Sequence, residues 1–429
     1  MRQQRVVIVG AGIAGLLLAT RLGERLGKAG RAHISLVDSH FTHVWKPLLH
    51  SLAAGTRDVN LQRISLLAHA SEHGHVFEPG ALVSVDREAR RIQLGPLLAP
   101  DGRVAVAARE LPYDWLVLAL GSGIHDFGTP GVQEHAHAID GQAQAERFNA
   151  ALRSAILRAA LQDTEVRVAI VGAGATGVQL AAELSELMEH ASGFGDARMR
   201  RRLRLSLYES SPRVLAAFPE AVAMATHHTL TKLGFEVHTG MRVQAVTAGS
   251  VQLTDGQLHH ADLTVWAAGI KAPDVLAHIP GLTANRAQQL QVLPCLQTTG
   301  DERILALGDC ASLQLPDSEH ALPPTAQVAT QQAEHLARHL PALLQGRALP
   351  DFRHRDLGTL VSLARYGAYG TLGRAGVLPG HFLAGRVAQL GHAWLYQCHR
   401  AGVQGWGRAS VVWLAEQLQR LAMPPIRMS

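Results

Sequence analysis

The 429-residue chain contains little cysteine, and this excludes several kinds of scaffold. Its three cysteines, Cys295, Cys310 and Cys398, stand far apart and form no CxxC pair. They can build neither a disulfide framework nor a zinc site, and no other cluster of side chains has metal-ligand spacing. We therefore expect no metal, and this use of thiols fits a reducing cytosol.

Long hydrophobic runs are also lacking. No uncharged apolar stretch reaches the roughly 18 residues of a spanning helix. Residues 6–20 are uncharged and follow Arg5, which imitates a secretory signal, but their glycine spacing indicates a strand, a turn and a helix. The pI is near 9.4, yet no basic run is interleaved with aromatic residues, so we expect no nucleic acid partner.

Glycine, in contrast, recurs in one motif at two distant places. The segment VVIVGAGIAG contains Gly10, Gly12 and Gly15, and VAIVGAGATG contains Gly172, Gly174 and Gly177. In this motif the first glycine makes a tight turn from strand to helix. The second lets the backbone approach a pyrophosphate, and the third lets the helix pack closely on the strand. Two such motifs predict two bound dinucleotides that can exchange electrons.

An acidic residue ends the predicted strand that follows each glycine motif. Asp38 ends the strand 33–38, and Glu209 ends the strand 203–209. A carboxylate at this place accepts hydrogen bonds from ribose hydroxyls, although a solvated strand-end acid is the ordinary alternative. Because Glu209 would repel a 2′-phosphate, it favours NADH over NADPH, a preference that the nearby Arg213 could weaken.

The two halves of the chain repeat one plan. Each glycine motif is followed later by a similar apolar strand, YDWLVLALG in the first half and ADLTVWAAG in the second. A third segment, ALGDCAS, predicts a turn at Gly308 and Asp309. Together with the first glycine motif, this turn is expected to contact the dinucleotide that the first motif binds. Residues 325–340 form a predicted helix whose Gln327 and Gln331 share one face, whereas we assign Gln332 to the polar surface. His43, Lys46 and His50 are interpreted as a basic loop.

These motifs together resemble the type II NADH:quinone oxidoreductases, which are single-subunit flavoenzymes of respiratory membranes. The resemblance runs nearly end to end. Its motifs are HVWKPLLH, the second glycine motif with AAEL, VWAAGIKAPD, LQTT, ALGDCAS, AQVATQQ and GRVAQLGHAWLYQCHRAGVQG. It implies an α/β fold with two Rossmann-like dinucleotide-binding domains, as in glutathione reductase, plus a C-terminal amphipathic helical region at the membrane. It also implies non-covalent FAD, NADH as the substrate and electron transfer to a membrane quinone without proton pumping.

Two residues depart from the family's pattern. The family usually has a glutamate where this chain has Gln179, and it often has a glutamate where this chain has Ser51. The first of these glutamates is thought to assist proton delivery to the quinone. Glutamine can form hydrogen bonds but cannot titrate, so we expect the protons in this chain to come through water or another group.

We predict that residues 1–125 and 271–345 bind FAD, residues 126–270 bind NADH, and residues 346–429 attach to the membrane and dimerise. The resemblance places the protein peripherally on the cytoplasmic face of the inner membrane, as a homodimer. The C-terminal region contains ten arginines and three acidic residues, a net charge of +7. Its apolar stripes, which suit a helix lying on an anionic membrane, are Val387, Leu390 and Trp394, and Val411, Leu414, Leu418 and Leu421.

The predicted site residues fall into three sets. The FAD set is Gly10, Gly12, Ala14, Gly15, Asp38, Lys46, Val83, Leu120, Gly121, Gly308, Asp309 and Gln327. The NADH set is Gly172, Gly174, Thr176, Gly177, Glu209, Ala268 and Gly269. The residues expected to position flavin or quinone or to relay protons are Lys46, Gln179, Gln327 and Gln331.

Two alternative functions are weighed against this one. A sulfide:quinone oxidoreductase of similar architecture needs paired redox cysteines at the flavin, and no cysteine precedes Cys295. A non-catalytic flavoprotein that senses NAD is the other alternative, because the carboxylates lost at Gln179 and Ser51 could mark a decayed enzyme.

Overall fold

A computed structural model describes residues 3–57, 62–193, 202–316, 318, 320–373 and 382–422. Contacts divide the chain into two compact units. Unit 1 comprises Met1–Trp45, Arg63–Gly123 and Ile270–His354, and unit 2 comprises Lys46–Gln62, Ile124–Gly269 and Arg355–Ser429. Each unit is an α/β structure, as the sequence predicts.

Strands and helices alternate around each glycine motif, whereas the segments between them contain several consecutive strands. In chain order the strands are β1 (Gln4–Val9), β2 (Ala32–Asp38), β3 (Thr42–His43), β4 (Ile64–Ser65), β5 (Val76–Pro79), β6 (Leu82–Asp86), β7 (Arg91–Leu94), β8 (Leu97–Leu98), β9 (Val104–Val106), β10 (Arg109–Pro112), β11 (Trp115–Leu118), β12 (Gly123–Ile124), β13 (Ala136–His137), β14 (Val166–Val171), β15 (Leu203–Glu209), β16 (Glu236–Thr239), β17 (Val243–Val246), β18 (Ser250–Leu253), β19 (Leu258–His260), β20 (Leu263–Trp266), β21 (Ile270–Lys271), β22 (Leu290–Val292), β23 (Gln297–Thr298), β24 (Asp301–Ala306), β25 (Ala311–Leu313), β26 (Gly358–Ser362), β27 (Ala368–Leu372) and β28 (Phe382–Ala384).

The helices are α1 (Ile13–Leu22), α2 (Leu49–Ala54), α3 (Leu66–His73), α4 (Val132–His135), α5 (Gln142–Gln162), α6 (Ala175–Gly193), α7 (Glu220–Lys232), α8 (Asp274–Ala277), α9 (Ala326–Leu343), α10 (Gly385–Gln404) and α11 (Trp406–Ala422). A π-helical turn, Gly23–Gly27, continues α1, and 3-10 turns occur at Lys46–Leu48, Gly308–Cys310 and Ala364–Tyr366.

Unit 1 is built on an eight-stranded sheet in the order β25-β22-β23-β24-β11-β1-β2-β5. The neighbours from β24 to β5 run parallel, so the carboxyl ends of β1, β2 and β11 meet at one edge. The strand β1 is buried along Val6–Val9, which explains its unbroken β-branched run. The helices α1 and α9 pack against each other, and a smaller antiparallel sheet is formed by β6, β7 and β10.

Unit 2 repeats this design with a five-stranded sheet in the order β13-β20-β14-β15-β16. All its neighbours are parallel. Two antiparallel sheets of three strands, β17 to β19 and β26 to β28, belong to the same unit. The strand β15 has the bounds predicted from the sequence.

The helices α10 and α11 are joined by a buried ion pair. The Arg400 guanidinium donates to the Glu416 carboxylate and to the Tyr396 hydroxyl, and both charged side chains are about nine-tenths buried or more. Such a pair fixes how the two helices meet, because separating it would leave an uncompensated buried charge. No described helix has the length and apolarity needed to cross a bilayer.

The predicted apolar stripes lie on these two helices and are exposed. Their described members are Val387, Leu390, Trp394, Val411, Leu414 and Leu418, each exposed by more than half. The Leu421 side chain, also assigned to a stripe, lies outside the described residues. Exposure of six such large apolar side chains is unusual for a monomer surface and indicates an interaction site.

The division into units differs from the predicted domain boundaries at two places. Residues 46–62 and 355–429 group with unit 2, whereas the sequence prediction assigned 46–62 to the FAD domain and 346–429 to a separate region. The physical reason is packing. The helix α2 packs on α5 and α6, and Thr229 of α7 contacts the Tyr369 hydroxyl of β27 at 3.0 Å.

Candidate functional site

The first glycine motif forms the turn between β1 and α1. Gly10 has φ of +104°, and a Cβ on it would lie 2.3 Å from the Ala119 carbonyl oxygen. A Cβ on Gly15 would lie 1.9 Å from the Gly10 carbonyl oxygen. A Cβ on Gly12, however, would have no atom within 4 Å, so this backbone is open to a ligand. The three glycines therefore meet the geometric requirements of a dinucleotide-binding turn.

Two side chains hold the peptide between the first two glycines. The Ala11 N–H donates to Asp38 Oδ2 at 2.7 Å, and the Ala11 carbonyl oxygen lies 2.8 Å from His43 Nδ1. His43 is buried, and burial lowers its pKa despite the bond to Ala11, so its imidazole is neutral and Nδ1–H is the donor. Interpretation of His43 as part of a basic loop was therefore wrong.

Asp38 is ionised in this arrangement. Burial of its side chain raises the pKa, but hydrogen bonds from the His40 ring and from the Ala11 and His40 N–H groups outweigh burial, and the net pKa is lowered. The His40 Nδ1 lies 3.1 Å from Asp38 Oδ1, and this bond raises the pKa of His40. Asp38 thus offers a charged acceptor beside the open turn.

The predicted turn at Gly308 and Asp309 connects β24 to β25. Gly308 has φ of +73°, and the Ser122 hydroxyl donates to Asp309 Oδ2 at 2.7 Å. The Gln332 side-chain oxygen accepts the Gly308 N–H at 2.7 Å, and Gln332 is only 2% exposed. Assignment of Gln332 to the polar surface was wrong, because its side chain fills a buried position and holds this turn.

Helix α9 begins beside the same turn. Its cap is the Thr325 hydroxyl, which accepts the Val328 N–H at 3.2 Å. Gln327 and Gln331 are half-buried on the first turns of the helix, and a Cβ on Gly308 would lie 3.4 Å from the Ala329 Cβ. The helix N-terminus and its two glutamines thus belong to the same unit as the first glycine turn.

The second glycine motif has the same geometry in unit 2. Gly172 has φ of +103°, and a Cβ on it would lie 2.4 Å from the Ala268 Cα. A Cβ on Gly177 would lie 2.0 Å from the Gly172 carbonyl oxygen, whereas Gly174 is open. The segment around Ala268 therefore touches this turn as the segment around Ala119 and Leu120 touches the first.

Glu209 repeats the role of Asp38. Its Oε2 accepts the Ala173 N–H at 2.8 Å, and its Oε1 accepts the Ser211 N–H at 2.8 Å. Arg213 donates to the Ala216 carbonyl oxygen at 3.0 Å. A carboxylate thus holds the peptide between the first two glycines in both units.

Further predicted residues of unit 2 surround this turn. Thr176 is exposed on the first turn of α6, and Gln179 is 9% exposed one turn further on. The Gly269 carbonyl oxygen accepts the His125 N–H at 2.9 Å, and a Cβ on Gly269 would lie 2.6 Å from the Phe127 ring. The Phe127 ring is half-exposed and stacks on His125, a contact that sequence reasoning did not suggest.

The segment around Lys46 also belongs to unit 2. Lys46 Nζ lies 3.6 Å from Asp140 Oδ1. His50 is buried, with its Nε2 3.7 Å from Glu183 Oε1, so its interpretation as a basic loop residue was wrong. The Ser51 hydroxyl donates to the same Glu183 oxygen at 2.6 Å. Glu183 lies in the AAEL segment and went unnoticed because its partner Ser51 is 132 positions away in the sequence.

The other predicted FAD residues of unit 1 lie on three different elements. Ala14 is buried in α1, whereas Leu120 and Gly121 follow β11, with φ of +67° at Gly121. Val83, in β6, has an exposed side chain. Across the described parts of both units, no group of three or more His, Cys, Asp or Glu side chains could hold a metal ion.

Comparison with known proteins identifies the class and then the family. A model of the pyridine nucleotide-disulphide oxidoreductases matches residues 4–333. A type II NADH:quinone oxidoreductase of Haemophilus influenzae is 36% identical, over 99% of this chain and 100% of the relative. A protein of the same description from Staphylococcus epidermidis is 27% identical over 90% of this chain and 92% of that relative. The chain belongs to the pyridine nucleotide-disulphide oxidoreductases and, within that class, to the type II NADH:quinone oxidoreductases.

Solved structures support the fold. NDH2 of Plasmodium falciparum in complex with NADH superposes with a TM-score of 0.85 at 17% identity, covering 100% of both chains. The sulfide:quinone oxidoreductase of Aquifex aeolicus has a TM-score of 0.73 at 17% identity, over 94% of this chain and 92% of that one. The predicted fold class and family resemblance are confirmed, and the sulfide enzyme is the more distant match.

Proposed function

We propose that the protein binds FAD non-covalently in unit 1 and oxidises NADH bound in unit 2. Electrons then pass to a membrane quinone without proton pumping. The observation that carries this proposal is the duplicated turn, in which a glycine backbone is open and a carboxylate holds the neighbouring peptide. Asp38 with Ala11 and Glu209 with Ala173 are the two copies.

The residues of unit 1 fit FAD. The open backbone at Gly12 and the N-terminus of α1 suit a pyrophosphate, and the ionised Asp38 suits ribose hydroxyls. Asp309, held by Ser122, would accept hydrogen bonds from the ribityl chain. The N-terminus of α9 would stabilise negative charge on the flavin ring, with Gln327 as a further positioning group. When bound, FAD accepts a hydride from NADH and gives two electrons to the quinone.

The residues of unit 2 fit NADH. Gly174 and the N-terminus of α6 would receive the pyrophosphate, with Thr176 exposed beside them. Glu209 would bind the ribose of NADH and repel the 2′-phosphate of NADPH. Ala268 and Gly269 line the opposite side of the turn, and Gln179 on the second turn of α6 would position the reacting end of the nucleotide or the quinone.

The quinone and the membrane form the second half of the proposal. Gln327 and Gln331, which match the family's AQxAxQ pattern, would orient a quinone. The exposed stripes of α10 and α11 would lie in the headgroup region of an anionic bilayer on the cytoplasmic face, assisted by the arginines of this region. Part of this surface would also form the expected homodimer.

The function is tested by purifying the protein and identifying its releasable cofactor. We expect a yellow protein that contains FAD and that oxidises NADH quickly only when a quinone is added. Sulfide offered as the donor should give no quinone reduction, since paired redox cysteines are lacking. A colourless protein that cannot be reconstituted, or one that releases FMN, would contradict the proposal. NADH oxidation that quinone does not accelerate would support the non-catalytic NAD-sensing alternative.

A further inference from the structure

A buried carboxylate lies on α6 one helical turn beyond Gln179. Glu183 is 5% exposed, and both of its oxygens are occupied by hydroxyl donors from the segment that contains α2. The Ser51 hydroxyl donates to Oε1 at 2.6 Å, and the Thr56 hydroxyl donates to Oε2. Residues four apart lie on one face of a helix, about 6 Å apart along its axis, so Glu183 and Gln179 face the same side of α6.

Basic side chains from three segments complete this cluster. His50 of α2 has its Nε2 3.7 Å from Glu183 Oε1. Burial lowers the pKa of His50 to about 4, and Arg57 and His392 add to that effect against the opposing attraction of Glu183. The pKa of His392 of α10 is also lowered. Burial is the main cause and Arg57 adds to it, whereas Glu183 opposes them. Both imidazoles are therefore neutral at pH 7, a form that can accept a proton at one nitrogen while donating from the other.

The cluster connects two regions that matter for quinone chemistry. At one end, His392 belongs to α10, the helix that also contains the exposed apolar side chains Leu390 and Trp394, and it lies on the opposite side of the helix from them. At the other end, Glu183 adjoins the turn of α6 that contains Gln179, where the family usually has a titratable carboxylate. We propose that Glu183 is the proton-relay group for quinone reduction in this protein and is refilled through His50.

The relay accounts for every proton and electron in quinone reduction. It rests on the proposed function. Reduction of a quinone by NADH consumes one proton overall, since NADH, H⁺ and quinone give NAD⁺ and quinol. In the relay an O–H bond of the Glu183 carboxyl breaks, and the proton passes by way of water to a quinone oxygen, where a new O–H bond forms. The carboxylate then regains a proton from the imidazole side, which takes its proton from solvent. The electrons come from NADH alone.

The first test replaces Glu183 by glutamine and uses Glu146→Gln as the matched control. A glutamine side chain at this position retains the shape and an oxygen acceptor but cannot titrate, whereas Glu146 is exposed on α5 in the same unit. In Glu183→Gln we expect flavin reduction by NADH to stay within about twofold of wild type. Quinone reduction should slow by about 100-fold or more, because general acid–base groups contribute roughly 10²- to 10⁴-fold, and it should lose its pH dependence. The control should behave as wild type.

Two further variants separate a relay from a structural role. Glu183→Gln combined with Gln179→Glu should recover quinone reduction by about tenfold, because a carboxylate is restored one turn away. Ser51→Ala leaves the carboxylate but removes one of its two hydroxyl donors, so it should alter the pH profile of quinone reduction. In the enzyme without NADH or quinone, infrared difference spectra recorded against pH should lose one carboxylic acid band in Glu183→Gln and keep it in the control.

Several results would overturn the relay. One is a wild-type pH profile in both Glu183→Gln and Ser51→Ala. Another is equal slowing of both half-reactions with no recovery in the double variant, which would show that Glu183 only holds α2 on α6. Failure of the wild-type protein to reduce quinone would be a different result, since it contradicts the proposed function itself.

Discussion

At the scale of single residues, the two carboxylates that follow the glycine motifs are bound in the same way. Asp38 and Glu209 each accept the N–H of the alanine between the first two glycines, at 2.7 and 2.8 Å. Each also accepts a backbone N–H two residues further along its own chain. The carboxylates therefore order the binding turn before any nucleotide arrives, in addition to offering oxygens to a ribose.

Glu209→Gln should narrow the preference for NADH over NADPH by about tenfold. Glutamine keeps an oxygen for the Ala173 N–H, but the charge that strengthens a ribose hydrogen bond and repels a 2′-phosphate is lost. The measurement is the rate of flavin reduction with each donor in turn. Glu165→Gln, at an exposed position in the same unit, is the control. A wild-type protein that reduces its flavin equally fast with both donors would show that Glu209 does not discriminate between the 2′-hydroxyl and the 2′-phosphate.

Gly174→Ala should weaken NADH binding by more than about tenfold and leave the fold and the FAD content unchanged. No protein atom lies within 4 Å of the added Cβ, so the methyl group would obstruct only a ligand that approaches the backbone. The measurements are the dissociation constant of NADH, the flavin content and Tm. Gly177→Ala is the contrast, since its Cβ would lie 2.0 Å from the Gly172 carbonyl oxygen and should destabilise the unit. Unchanged NADH affinity in Gly174→Ala would place the pyrophosphate elsewhere.

At the scale of elements, local patterns predicted the two βα turns well. A β-branched run followed by three spaced glycines is set by neighbouring residues alone, and β15 has the predicted bounds Leu203–Glu209. Gln332 was missed because polarity was taken as a sign of exposure. The helical spacing of Val328, Gln332 and Leu336 places all three on the buried face of α9.

Long-range packing was not predictable in the same way. The grouping of α2 with unit 2 depends on Ser51 meeting Glu183, residues 132 positions apart, and no local pattern marks such a pair. The buried state of His43 and His50 has the same origin, because each imidazole is held by a partner distant in sequence.

Three histidines on α3 and just after it should make the free energy of unfolding sensitive to acid. His69 and His73 stack with ring centroids 4.2 Å apart, and His75 lies 5.3 Å from His69. Burial lowers the pKa of His75 to about 3, with His69 and His73 acting in the same direction. Since the unfolded imidazole binds a proton near pH 6.5 and the folded one does not, the free energy of unfolding should fall as pH decreases from about 6.5 towards 3.

His75→Phe should reduce this pH dependence, because it removes one group that takes up a proton on unfolding. Chemical unfolding measured between about pH 7 and 4 gives the slope directly, with the unmodified protein as reference. His33→Phe is a control at an exposed position of the same unit. Equal slopes in His75→Phe and wild type would show that the cluster does not contribute to acid sensitivity.

At the scale of the whole molecule, the charge and apolar surface of the C-terminal region predict membrane attachment. Residues 347–429 carry a net charge of +7, more than the +5 of the whole chain. On α10 and α11 the exposed apolar side chains include Leu390 and Trp394, each more than half accessible. Each basic residue near an anionic surface contributes about 1 kcal/mol, a contribution that salt weakens.

Replacing Leu390, Trp394 and Val411 together by glutamate should release the protein from anionic vesicles. Activity should fall more with a long-tailed quinone than with a water-soluble one, since only the former resides in the bilayer. Leu161→Glu, at an exposed apolar position on α5, is the control. Loss of the dimer in analytical ultracentrifugation, with vesicle binding unchanged, would assign the stripes to subunit contact instead.

In the proposed activity, the chain binds two dinucleotides and carries electrons from NADH to quinone. Anaerobic stopped-flow spectroscopy tests it in two mixing steps on the purified protein. We predict that NADH bleaches a bound flavin completely and that quinone added afterwards restores the oxidised spectrum, with one quinol formed per NADH consumed. A flavin that NADH does not bleach, or a bleached flavin that quinone leaves unchanged, would contradict the proposed activity.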